Sequence, residues 1–122
     1  MGANRHIEQD RLELMRMRHR EELSALEDEE YRIRRQAAFL ETLQDDLESE
    51  IRRRRLWDPF ADDGGDDIWR IANGLRFEIE DEIQATAKKL RAVEDELDEC
   101  LRRQRRELGG FSGPDRAEGG SR

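Results

Sequence analysis

From Asn4 to Trp57 the chain contains neither glycine nor proline, and it is built largely from Glu, Arg, Leu, Ala and Gln. These are the residues that lose least on entering a helix. A second stretch rich in the same residues ends at Leu108, and between the two lies Asp58-Pro59-Phe60-Ala61-Asp62-Asp63-Gly64-Gly65. Pro59 disfavours helical backbone at Asp58 and cannot continue a helix itself. The sequence therefore predicts a helix over 4–57 with Asn4 as its N-cap, and a connector over 58–66. A second helix follows over 67–108, opened by Asp66 or Asp67 and ended by Gly109-Gly110. Residues 109–122 are mostly Gly, Ser and charged residues, with Phe111 as the one large apolar side chain, the composition of a disordered tail.

Within both stretches apolar residues recur at steps of three and four, the period of a helix with one buried face. On the first the seam runs Leu12, Met15, His19, Leu23, Leu26, Glu30, Ile33, Ala37, Leu40, Leu43, Leu47 and Ile51. On the second it runs Ala72, Leu75, Ile79, Ile83, Ala87, Leu90, Val93, Leu97, Leu101, Gln104 and Leu108. Facing residues of an antiparallel pair have numbers with a constant sum, and 123 serves for Ile51 with Ala72, Leu40 with Ile83, Ile33 with Leu90, and Leu26 with Leu97. Leu47 with Leu75, Leu43 with Ile79, Ala37 with Ala87 and Leu23 with Leu101 fall within one of it. A sum of 123 centres the fold inside the Asp/Gly connector. It also sets His19 against Gln104, where a polar pair can fix register. The fold class that follows is all-α: an antiparallel, coiled-coil-like two-helix hairpin over residues 4–108.

Composition narrows the function. With 31 Asp+Glu against 23 Lys+Arg the net charge is −8, which argues against general affinity for nucleic acid or an anionic membrane. Arg52 to Arg55 sit where they suit the negative end of a helix dipole, close to five aspartates, so they do not make a nucleic-acid patch. No apolar run approaches membrane-spanning length, and the start Met1-Gly2-Ala3-Asn4-Arg5-His6 lacks the apolar core of a signal peptide, so cytoplasmic synthesis is expected. Cys100 is the single cysteine. His6 and His19 lack the i, i+4 spacing of a helical zinc pair, and no nucleophile elbow or phosphate loop is present. The expectation is a non-enzymatic protein with no cofactor and no metal.

Two helices bury only the strip between them, which barely offsets the entropy of ordering the chain. Off the seam stand Leu14, Met17, Tyr31, Ala38, Phe39, Leu56, Trp57, Trp69, Ile71, Phe77 and Cys100. Some of these can widen the intramolecular seam, but the aromatics are too many for that purpose alone. Phe39, Trp57, Phe60, Trp69 and Phe77 are accordingly the candidate partner-binding residues, because aromatic anchors concentrate binding energy. For Trp57 and Trp69 a plug closing the connector is an equal alternative. Glu27-Asp28-Glu29-Glu30 falls beside Glu94-Asp95-Glu96, and Arg16, Arg18 and Arg20 beside Arg102, Arg103, Arg105 and Arg106, so charge is banded along the hairpin.

With Leu47 to Trp57 before the turn and Glu94-Asp95-Glu96-Leu97 leading into Arg102-Arg103-Gln104-Arg105-Arg106-Glu107-Leu108, residues 5 to 108 resemble the small helical accessory proteins encoded beside LXG toxins of Gram-positive bacteria. Those proteins are relatives in role of the Trp-x-Gly helical-hairpin partners of type VII secretion. The resemblance implies a targeting chaperone that packs, with a second small helical protein, against the toxin's helical N-terminal domain, and that is exported with it or stays behind in the cytoplasm. The chain departs from the pattern at Trp69-Arg70-Ile71, which is no Trp-x-Gly, and it has no Tyr-x-x-x-Asp/Glu after the second helix; Phe77 to Asp81 has only the Phe-x-x-x-Asp spacing. The export signal would then reside on a partner. The rival is a self-associating scaffold or spacer, a homodimeric four-helix bundle.

Overall fold

The computed structural model describes residues 2–58 and 65–111, and they form two helices, α1 (Gly2–Arg54) and α2 (Gly65–Phe111). The expected all-α hairpin is the fold. Both helices outrun their expected limits. Helix α1 begins before Asn4, which therefore lies inside the helix and is not its cap, and α2 already includes Asp66 and Asp67. Gly109 and Gly110 lie inside α2, because glycine in a helix costs only about 1 kcal/mol and does not forbid it. Pro59, Phe60 and the rest of the 59–64 connector, like residues 112–122 of the expected tail, lie outside the described residues.

Pro59 is not what stops α1. The helix ends at Arg54, three residues before Trp57, because Arg55 turns into the left-handed region at φ 52°. Its amide donates to the Arg52 carbonyl at 3.2 Å and the Leu56 amide donates to the Ile51 carbonyl at 3.1 Å. These two bonds are the Schellman termination, in which a residue beyond the cap folds back over the last turn. The motif wants an apolar contact between the two residues it joins, and Leu56 and Ile51 are both buried in one cluster with Ala72. Burial of Leu56 thus holds a non-glycine residue in a conformation that costs about 1–2 kcal/mol.

The chain divides into two compact units, Tyr31–Arg91 and the combination of Met1–Glu30 with Ala92–Arg122. In the first, facing residues have numbers summing to 123 in every layer: Ile51 with Ala72, Leu47 with Arg76, Gln44 with Ile79, Leu40 with Ile83, Ala37 with Thr86, Ile33 with Leu90. All are buried or half-buried. The register corrects the near-matches. Arg76, Gln44 and Thr86 occupy seam positions expected for Leu75, Leu43 and Ala87, and those three are exposed. A strict seven-residue repeat with alternating steps of three and four decides which side chain points inward, whatever its polarity.

In the second unit Glu30 with Val93, Leu26 with Leu97, Leu23 with Cys100, and His19 with Gln104 obey the same rule. Cys100 takes the place expected for Leu101 and is buried, whereas Leu101 is exposed. Gln104 donates through Nε2 to the His19 backbone carbonyl at 3.0 Å, so the expected polar pair exists with the main chain as acceptor. The His19 ring turns to Glu107, with Nε2 2.7 Å from a carboxylate oxygen. Glu22 receives Cys100 at 3.6 Å and pairs with Arg103. The arginine-rich end of α2 is thereby laced to acids of both helices. Burial, and after it the Glu22 carboxylate, push the Cys100 thiol up, which keeps it protonated and weakly nucleophilic.

Two positions break helix and core rules without compensation. Gly74 lies mid-helix in α2, and a Cβ built there meets nothing within 4 Å. Thr86 is 1% exposed and its hydroxyl has no hydrogen-bond partner. Gly74→Ala should stabilise the hairpin by about 0.5–1 kcal/mol through the lower entropy of the unfolded chain. Thr86→Val removes a buried, unsatisfied hydroxyl and should stabilise it by about 1 kcal/mol or more. Urea denaturation followed by circular dichroism checks both, and a lower midpoint for either variant contradicts the packing described.

Candidate partner-binding site

A helix that presents its seam inward carries two flanking stripes, one on each side. In the unit Tyr31–Arg91 these flanks differ. On one side polar groups bridge the helices: Arg76 donates from Nε and from its terminal nitrogen to the two Glu48 carboxylate oxygens at 2.6 and 2.7 Å, and Gln44 donates to Glu80 at 3.2 Å. The bidentate arrangement is the strong form of a charged hydrogen bond. It holds the Glu48 carboxyl below the usual carboxylate range, the Arg76 hydrogen bond outweighing the opposing effect of burial. Arg76 also lies 5.6 Å from the centre of the Trp69 ring, a cation–π contact.

The other flank is apolar. Leu43 and Leu75, displaced from the seam by Gln44 and Arg76, stand beside it at 39% and 43% exposure. With Leu40, Leu47 and Ile79 they floor an open groove of about 390 Å³. Asp46 and Glu50 of α1 and Glu78 and Glu82 of α2 line its rims. The stripes are the same on both helices: Phe39, Leu43, Asp46, Glu50 and Ile71, Leu75, Glu78, Glu82 each follow i, i+4, i+7, i+11. Phe39 and Ile71, 64% and 66% exposed, continue the same flank by one turn along their own helices, beyond the groove itself. Asp46, Glu78 and Glu82 make no ion pair with any described residue. Glu50 is bound by Arg53 and Arg54, which hold its carboxyl at about 2.

The five candidate aromatics are not one site. Phe39 belongs to the groove flank. Phe77 is exposed as well, but its helical position puts it on the side of the bridging Glu80, away from Leu75. Trp69 is half-buried against Ile51, Leu56 and Ala72, the arrangement of a plug. Trp57 follows the α1 termination and is exposed, so it does not share that role. Phe60 lies outside the described residues. Leu43 and Leu75 read as seam residues in the sequence, so their place on the flank beside the four carboxylates emerges only once the register is fixed. Among the described residues no group of three or more His, Cys, Asp and Glu could hold a metal ion, and no helix is long and apolar enough to cross a membrane.

Comparison with protein-family models, with curated proteins and with solved structures finds no match to this chain.

The lowered Glu48 carboxyl makes a pH prediction. Its folded value lies below the ordinary 4.5, so the pair contributes fully above that value and is lost as pH falls through the folded one. The stability difference between the native chain and Glu48→Gln, measured by urea denaturation from about pH 6 down to about pH 2, should therefore shrink toward acid. A difference that stays constant over that range would show that the Arg76 bridge is not coupled to folding.

Proposed function

We propose that this chain is a non-enzymatic adaptor that captures a helical protein partner, and that the partner is the helical N-terminal domain of an LXG-type toxin bound for type VII secretion, together with a second small helical protein. The observation that carries the first part is the apolar flank from Phe39 and Leu43 to Leu75 and Ile71. Exposed apolar surface on both helices, contiguous with an open groove, is costly to leave in water and marks an interaction surface. The toxin assignment rests on the family resemblance of residues 5 to 108. Helical partners suit the surface, since a groove between two parallel ridges accepts the apolar face of a third helix.

A self-associating scaffold is disfavoured by charge. A two-fold contact through the groove sets the same patch against itself and brings two sets of acidic rims together. Co-expression with the helical N-terminal domain of an LXG-type toxin should yield a complex that survives size-exclusion chromatography, with a sharper and higher thermal transition than the chain shows alone. A stable homodimer by light scattering that ignores the toxin domain would favour the scaffold instead.

A further inference from the structure

The groove in the unit Tyr31–Arg91 combines two demands on whatever fills it. Its floor is aliphatic, set by Leu40, Leu43, Leu47, Leu75 and Ile79, and it is open along its length. Its rims are acidic on both helices, and three of the four carboxylates, Asp46, Glu78 and Glu82, have no ionic partner among the described residues. Resting on the adaptor reading above, we infer that the groove is the seat of a single amphipathic helix from a partner protein, whose apolar stripe is bordered on both sides by Lys or Arg. The apolar stripe displaces water from Leu43 and Leu75. The flanking cations then meet Asp46 along one rim and Glu78 and Glu82 along the other.

The like-charged rims do more than attract. An acidic or neutral helix that placed its apolar face in the groove would bring its own flanks against unpaired carboxylates, and this penalty selects the cationic partner. It also selects against a second copy seated groove to groove. The charge term acts at exposed rims and is therefore screened by salt, whereas the floor contribution is not. The specificity is legible in the alternation of the stripes: two apolar residues followed by two acids on each helix, with the helices running in opposite directions, so that the acids of one helix border the apolar residues of the other.

The test uses the full chain and two designed helical peptides sharing one aliphatic stripe, one flanked by Lys and Arg, the other by Glu, each fluorescently labelled. Anisotropy titration should give at least tenfold tighter binding of the cationic peptide at low salt, with the gap narrowing as salt rises. Leu43→Ser with Leu75→Ser should abolish binding, and Glu78→Gln with Glu82→Gln should erode the preference for the cationic peptide, while circular dichroism shows both variants still helical. Phe77→Ser, on the opposite flank, should change nothing. Equal binding of both peptides, no binding of either, or self-assembly of the chain that Leu43→Ser with Leu75→Ser prevents would each overturn the inference. Retention of the toxin domain by Leu43→Ser with Leu75→Ser would overturn it too, and would leave the adaptor reading standing. Cationic-peptide binding without toxin capture would do the reverse.

Discussion

Register is the constraint from which the other features of this protein follow. Two helices that meet along a seven-residue repeat admit one side chain per step of three or four, and a layer in one helix fixes its opposite in the other. Here the facing numbers sum to 123 in each unit, and the seam accepts what that arithmetic delivers: Arg76, Gln44, Thr86, Cys100 and His19 as well as leucines and isoleucines. Polar seam residues are kept by local solutions. Arg76 reaches out to Glu48 and over Trp69, Gln104 finds the His19 carbonyl, and Cys100 finds Glu22. Thr86, facing the small Ala37, finds nothing.

A polar residue drawn into the seam displaces an apolar neighbour to its edge. Gln44 and Arg76 occupy positions next to Leu43 and Leu75, and the leucines consequently stand on the flank. The same substitution of roles on both helices makes one flank apolar and gives the other the bridging Glu48 and Glu80. The groove is thus a by-product of where the seam places its polar groups, and its acidic rims come from the next turns of the same two stripes. The two sides of one seam therefore differ in chemistry, one apolar and one bridged by polar groups.

The hairpin, its antiparallel sense and its register were legible in the residues, since periodicity and a mirror sum need no coordinates. Ile51 with Ala72, Leu40 with Ile83, Ile33 with Leu90, Leu26 with Leu97 and His19 with Gln104 all match at 123 in the sequence itself. The near-matches fail for one reason: hydrophobicity favours 43 over 44 and 75 over 76, whereas the helical repeat turns 44 and 76 inward. Helix ends follow the same logic. Asn4, Pro59 and Gly109-Gly110 are local signals, while the α1 end is set by Leu56 packing on Ile51 and Ala72, a contact made with the other helix. Among the candidate aromatics, Phe39 and Phe77 look alike in the sequence, and only the register puts them on opposite flanks; the packing of Trp69 on Ile51, Leu56 and Ala72 is likewise a contact that spacing does not specify.

The order of residues by itself determined that two amphipathic helices fold back antiparallel at one sum, because a helical period and its mirror image are properties of spacing. Only the tertiary structure decided which of two neighbouring residues enters the seam, which flank remains apolar, and where α1 stops. Those outcomes depend on contacts between α1 and α2, and a one-residue rotation that spacing tolerates is a change of face in three dimensions.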